Sequence, residues 1–274
     1  MTAIEARPIR PRPIPSAHAE DELPHLFMSG DLILSHMVAI GSALFPEGED
    51  FFVRSVRHYR DRITDPVLKR QVAGFIGQEA LHSRAHADFN EKLARLGYRT
   101  HQIDRGTKIS FWVADHFTLP RTRLAITAAL EHVTATLAEN LLSREDVQAL
   151  HDVPKVRDLF MWHALEESEH KAVAFDVYQQ VSGNTFVRTT VMRLVLGGSV
   201  IGMSLGVLAS TLIDRQGRRQ CSLRESWRAL KQSPFADRRL WDRLCDYNRR
   251  DFHPSQNDAT ALIDHWSEVL ARPA

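Results

Sequence analysis

The chain has only two cysteines, Cys221 and Cys245, in 274 residues. They form no Cys-x-x-Cys pair and no disulfide framework, which excludes cysteine-built zinc ribbons and stapled secreted folds and suits a reducing cytoplasm. Charge of one sign is not in excess either, since 35 Lys and Arg face 34 Asp and Glu for a net charge of +1. No basic block is interleaved with aromatics, so nucleic acid is not expected as a partner. The first 24 residues hold no apolar run of the kind a secretory signal needs. They alternate Pro and Arg instead, which predicts an extended arm over residues 1–29, disordered or draped on the surface. Strand-like alternation is scarce throughout.

What is present from residue 30 onward is helical periodicity, with apolar residues three and four apart. A hydrophobic content of 43% is enough for a sizeable core. The spacing predicts helices over about 31–62 (interrupted or kinked at Pro46 and Gly48), 66–96, 120–142, 154–181 and 186–213. The segment 98–119 reads as a connector with room for a short helix. Short helices are expected near 223–231 and 258–270. The resulting plan is an arm over 1–29, a helical bundle over 30–184, a long apolar helix over 185–214 and a charged helical tail over 215–274.

Histidine is the outlier, at 14 residues. Two of the expected helices each carry Glu-x-x-His: Glu79 with His82, and Glu167 with His170. Residues three apart share a helix face, with Cβ atoms roughly 5–6 Å apart, so each pair offers a metal one carboxylate and one imidazole. Carboxylate-bridged two-metal bundles take such a pair from each of two helices and one Glu from each of the other two. Glu49 and Glu131 fill that requirement. Glu49 lies 30 positions before Glu79 and Glu131 lies 36 before Glu167. Either interval allows a climb, a turn and a descent to the same level. Glu47, Glu139 and Glu166 compete for these places, but only Glu167 stands three before His170. Apolar flanks such as Phe75, Leu130 and Leu165 predict burial, where a carboxylate is costly unless paired, protonated or metal-bound. His163 shares the Glu167/His170 stripe and is a candidate seventh ligand. His86 could be a ligand, a partner of one, or a proton donor. His132 points to another face and is expected outside the site. The fold expected is therefore all-α, a ferritin-like four-helix bundle with additional C-terminal helices. The metal set is Glu49, Glu79, His82, Glu131, His163, Glu167 and His170, with Glu79 and Glu167 as bridges and Glu49 and Glu131 terminal.

Across residues 45–178 the sequence resembles the bacterial family labelled "predicted metal-dependent hydrolase". The resemblance rests on Phe45-Pro46-x-Gly48-Glu49-x-x-Phe52, on Phe75-x-x-Gln78-Glu79-x-x-His82-x-x-x-His86, on Glu131-His132, and on Trp162-His163-x-x-Glu166-Glu167-x-Glu169-His170-Lys171. The ligand pattern alone is also similar to that of ferritin-like di-iron arylamine N-oxygenases, which add a third histidine where His163 stands here. These likenesses imply two iron ions, with manganese as an alternative. They imply an oxidoreductase that uses O2, a small-molecule substrate and an external electron donor, or alternatively a two-metal hydrolase.

One long uncharged run remains. Residues 194–213, LVLGGSVIGMSLGVLASTLI, are long enough to span a bilayer. Gly198, Gly202 and Gly206 form a ladder that permits close helix packing. Arg188 and Arg193 precede the run; Arg215, Arg218 and Arg219 follow it. The two readings are a helix in contact with the inner face of the membrane and a buried helix packed on the bundle. A homodimer is compatible with either.

Overall fold

The computed structural model describes residues 8–14 and 23–271, which form helices and no strand. The all-α expectation holds. Helix α1 (Leu32–Arg57) begins where the Asp31 carboxylate accepts from the Leu34 amide, and it runs through Pro46 as one helix. Proline at that place leaves the carbonyl four residues earlier without its helical donor. That carbonyl belongs to Ser42, and it accepts instead from Asn90 Nδ2 at 3.1 Å. The helix is therefore tolerated because a neighbour repairs it.

Helix α2 (Pro66–Arg95) starts at Asp65, which caps the Val67 amide, with Pro66 in the first turn. Bonds from Ser42 to His86 and from Ser83 to the Pro46 carbonyl show α1 and α2 as an antiparallel hairpin. Helix α3 (Thr100–Phe117) replaces the expected connector. It lies on α1 through Phe111, stacked on Phe51 at 4.4 Å. Its other side leaves Ile109, Trp112 and Phe117 exposed, which is why apolar periodicity under-reports it.

The second hairpin is α4 (Pro120–Ser143), a short α5 (Glu145–Gln148) and α6 (Pro154–His170). Thr134 bonds Glu167 and Glu131 bonds His170, which fixes its antiparallel register. The helix expected over 154–181 is in fact two, since α6 ends at His170 and α7 (Val173–Val181) follows. The break falls at Lys171, a buried lysine whose Nζ reaches Glu139 Oε1 and the Asn257 carbonyl, both at 2.6 Å. The core between the two hairpins holds Phe51, Phe75, Leu124, Phe175 and Tyr178, all essentially inaccessible.

Helix α8 (Thr185–Ile213) is capped by Asn184 and packs along α1 and α4. Its anchor is Arg188, fully buried, whose guanidinium donates to the carbonyls of Tyr247 and Arg249. It is long and apolar enough to cross a membrane, and only 11% of its most apolar stretch is buried in the protein. Leu194, Ile201, Leu205 and Leu208 face outward. The tail forms α9 (Gly217–Gln220), α10 (Leu223–Gln232), α11 (Arg238–Asp246) and α12 (Thr260–Leu270). It folds back over the bundle, with Ile263 against Leu165 and Trp266 Nε1 donating to the Leu142 carbonyl.

The arm is described only over 8–14; residues 1–7 and 15–22 lie outside the described residues. The described part is draped on α2. A Cβ on Gly74 would stand 2.3 Å from the Ile9 carbonyl oxygen, and one on Gly77 would stand 2.7 Å from the Pro11 ring. Those two glycines allow the chain to lie directly on the helix, with Ile9 buried.

Candidate metal centre

Four helices converge on one enclosed volume. Helix α1 contributes Glu49, α2 Glu79 and His82, α4 Glu131, and α6 His163, Glu167 and His170. All seven are at most 3% exposed, so water does not solvate them. One set of donor atoms, from Glu79, His82, Glu167 and His170, lies within 4.8 Å of one another; a second set comes from Glu49, His82 and His163. Glu131 belongs to neither set. Its Oε2 accepts from His170 Nδ1 at 3.0 Å, on the far side of that ring from Glu79.

Glu167 is central. Its Oε1 lies 2.9 Å from His163 Nε2, 3.8 Å from His82 Nδ1 and 3.9 Å from His170 Nε2. Glu49 Oε1 lies 3.7 Å from His163 Nε2.

Hydrogen bonding leaves much of this set without partners. Both oxygens of Glu49, both of Glu79, Glu131 Oε1, His82 Nδ1 and His170 Nε2 are buried with no hydrogen-bond partner among the described residues. His170 Nε2 approaches Glu79 Oε1 to 3.1 Å without hydrogen-bond alignment. Buried polar atoms are nearly always satisfied. A convergent group of unsatisfied oxygens and imidazole nitrogens is what a metal ion would satisfy, and mixed carboxylate and imidazole donors suit iron or manganese. The residues therefore fit a metal centre.

The electrostatics agree. Burial, then repulsion from Glu79, Glu167 and Glu131, pushes the Glu49 carboxyl well above the usual range. Burial with Glu131 and Glu167 nearby does the same to Glu79, and burial with Glu167 nearby does so to Glu131. Burial, with His163 and His170 adjacent, holds His82 well below the ordinary imidazole value. For Glu167 burial works upward, but His170, His163 and the Thr134 hydroxyl bring it below the ordinary value. Four carboxylates so crowded are unfavourable until a cation neutralises them.

Several supporting residues were not legible in the sequence. Glu166, passed over as a ligand, has its own place. Its Oε2 accepts from His82 Nε2 at 3.0 Å and its Oε1 from the Arg12 amide at 2.7 Å. Burial, opposed by Arg12, raises its carboxyl to about 7. With Nε2–H directed to Glu166, His82 presents Nδ1 as a lone pair towards Glu167. Arg12 also grips Glu169 through two bonds of 2.6 Å, and Gln78 Nε2 donates to the same carboxylate at 3.0 Å. Only the arm's proximity could have shown this, because Arg12 and Glu169 are 157 positions apart. His132 stays outside the centre, as expected. Its Nε2 donates to the Arg243 carbonyl at 3.1 Å, and its ring packs on Tyr247 and Phe252.

A cleft of about 220 Å³ opens beside the bundle, lined by Arg54, Ser55, His58, Asp115, Pro120 and Arg123. Behind it, Ser55 and Thr127 share a 2.6 Å hydrogen bond, and Thr127 stands one helical turn before Glu131.

Residues 11–258 match the profile of a family described as "predicted metal-dependent hydrolase". The chain belongs to that family. The match extends well past the half of the sequence on which the resemblance was read, and takes in the arm from residue 11, α8 and most of the C-terminal tail. No curated protein and no solved structure matches the chain. Membership accords with a metal site and with a hydrolytic enzyme.

Proposed function

We propose that the cluster holds two transition-metal ions, iron first and manganese as the alternative, and that the protein is an oxidoreductase acting on a small molecule with O2. The observation that carries this reading is the enclosed set of partnerless donors from Glu49, Glu79, His82, Glu131 and His170, with Glu167 among three imidazoles. Glu79, His82, Glu167 and His170 would hold one ion, Glu49 and His163 the other, with Glu167 shared and Glu131 in reserve behind His170. A redox-active pair of ions supplies the electron transfers of O2 chemistry, with electrons from an external donor. The chain's own work is to exclude water and orient the donors. Phe45 packs on His163 at 4.7 Å, Phe75 on His170 at 5.0 Å and Trp162 on His82 at 4.9 Å, so each ring is held by an aromatic neighbour. Glu166 and Arg12 hold the His82 tautomer. Four carboxylates accept the charge of the ions without further counter-ions.

A two-metal hydrolase is the second reading, and the family description favours it. In that case ions that do not change oxidation state would polarise the substrate and activate water. Protein purified without oxygen should contain about two metal ions per chain by elemental analysis, by analogy with di-iron carboxylate bundles. Iron-loaded, reduced protein that takes up O2 with a change in its optical spectrum supports the first reading. Cleavage of ester, amide or phosphoester probes by zinc- or manganese-loaded protein without O2 supports the second. Absence of stoichiometric metal under any loading removes both.

We further propose that α8 meets a lipid surface lengthwise. Its anchors, Arg188 near one end and Thr211 near the other, are buried in the protein, so the helix stays on the bundle while its outer face is bare. Arg193, Arg215, Arg218 and Arg219 flank that face and suit anionic lipid. The protein should float with vesicles containing phosphatidylglycerol, and Ile201→Asp with Leu205→Asp should abolish this. A dimer by light scattering with no vesicle binding would instead assign the face to a second copy.

A further inference from the structure

Asn90, Ser42 and His86 donate nothing to the cluster, yet their hydrogen bonds decide which nitrogen of His163 carries its proton. The chain of reasoning starts at a backbone carbonyl, which can only accept. Pro46 has no N–H, so the Ser42 carbonyl is released from its helical bond, and Asn90 Nδ2 donates to it at 3.1 Å. This fixes the orientation of the Asn90 amide. Its Oδ1 then faces Ser42 Oγ at 2.7 Å, and the Ser42 hydroxyl must donate to it. A hydroxyl has one proton, so towards His86 Nδ1, 2.9 Å away, Ser42 is the acceptor. His86 therefore carries its proton on Nδ1. His86 is fully buried, and among the described residues its two ring nitrogens meet only Ser42 Oγ and His163 Nδ1, with no carboxylate to balance a second proton, so the ring is neutral and its Nε2 is a lone pair. His163 Nδ1 lies 2.6 Å from that Nε2 and must donate to it. The proton of a neutral His163 is accordingly on Nδ1, and Nε2 is a lone pair aimed at two acceptors, Glu167 Oε1 at 2.9 Å and Glu49 Oε1 at 3.7 Å. A lone pair facing two carboxyl groups is repulsive unless a cation or a carboxyl proton lies between them, and a metal ion would meet all three donors at once. Phe45 packs against both rings, at 4.5 Å from His86 and 4.7 Å from His163, and holds them in this relation.

We infer that Asn90, Ser42 and His86 are positioning residues that hold His163 as the Nδ1–H tautomer and so present Nε2 to a metal ion. The inference rests on the cluster being a metal centre. It extends that reading to a donor chain anchored at the bare carbonyl opposite Pro46, and it explains why a proline is accommodated in mid-helix next to Phe45.

The experiment uses the full-length protein and two probe ions, Zn2+ and Co2+. Long-range 1H–15N correlation spectra of imidazole-labelled protein report which nitrogen of each histidine is protonated. In metal-free protein, His86 is expected to show a protonated Nδ1 and a bare Nε2. In the zinc-loaded protein, His163 is expected to show the same pattern with Nε2 shifted by the ion. Ser42→Ala should lower Zn2+ affinity tenfold or more and change the visible spectrum of bound Co2+, whereas Ser42→Thr, which keeps the hydroxyl, should restore both. A protonated Nε2 on His86 overturns the inference, as does a Ser42→Ala variant with wild-type affinity and Co2+ spectrum. If the wild-type protein binds neither ion, the metal reading itself has failed. That outcome is distinct from failure of the chain, which shows in the His86 tautomer without any metal.

Discussion

Glu166 Oε2 stands 3.0 Å from His82 Nε2, and among the described residues nothing else accepts that ring's proton. Replacing Glu166 with Ala removes the group that orients a metal-binding histidine, so metal affinity should fall by about 10- to 100-fold with the fold retained. Glu169→Ala frees Arg12 but leaves Glu166 in place, and its effect should be smaller. Competitive titration against a chromophoric chelator measures both. Equal losses would mean that the arm, and not Glu166, does the orienting.

The ligand set separates by severity. Glu79→Ala and Glu167→Ala should lose metal outright, because Glu167 lies among three imidazoles and both Glu79 oxygens are without other partners. His163→Ala should keep the fold and at least one ion but alter the optical spectrum. His132→Ala should bind metal like the wild type and lose about 1–3 kcal/mol of stability, since it removes a buried acceptor's partner and the packing on Tyr247. Metal stoichiometry and thermal melts of the four variants test this. A His163→Ala variant identical to wild type would reduce His163 to a core residue.

Metal and protons should compete. Without metal, Glu49, Glu79 and Glu131 keep their protons at pH values where unfolded glutamate, near 4.3, has lost them. The folded chain then binds more protons than the unfolded one, so this contribution is present at low pH and is lost as pH rises. His82 and His86, held low, act in the opposite sense only below about pH 6.5, above which imidazole is neutral in both states. Stability of the chelated protein should therefore fall as pH rises above about 6.5. Metal-loaded protein should not follow, because ions replace the protons. Melting temperatures with and without chelator should diverge as pH rises; a gap that narrows would contradict this.

Lys171 offers a test remote from the donors. It is 4% exposed and paired with Glu139, which also meets Arg243. Lys171→Ala strands part of a buried carboxylate and should cost about 3 kcal/mol in denaturant unfolding. A loss below 1 kcal/mol would place the pair's weight on Arg243.

The sequence carried the donors because their code is local: Glu-x-x-His needs only one helical turn, and prolines at residues 66, 120 and 154 mark three helix starts. What orients the donors was not legible, since Glu166 meets His82 across 84 positions and Asn90 meets Ser42 across 48. No periodicity encodes such pairings. The stop at His170 was equally hidden, because Lys171-Ala172-Val173-Ala174 continues an acceptable helical pattern and the break is tied to tertiary partners of Lys171. Helix α3 was under-read for the opposite reason, as its apolar residues do not all face a core.

Gly74→Ala should lift the arm, since the new methyl would strike the Ile9 carbonyl. Limited proteolysis should then cut near residues 8–14 faster than in the wild type, and metal should exchange more quickly. Unchanged cleavage would show that the arm yields without leaving.

The arm's attachment also has a history in time. Arg12 leaves the ribosome before its partner Glu169, which follows 157 residues later; at about 5–20 residues per second that is an interval of roughly 8–30 s. Every donor except His170 is translated within that interval, and His170 comes immediately after it. The clasp's second half and the last donor therefore emerge one after the other, so the arm can close only as the donor set is completed.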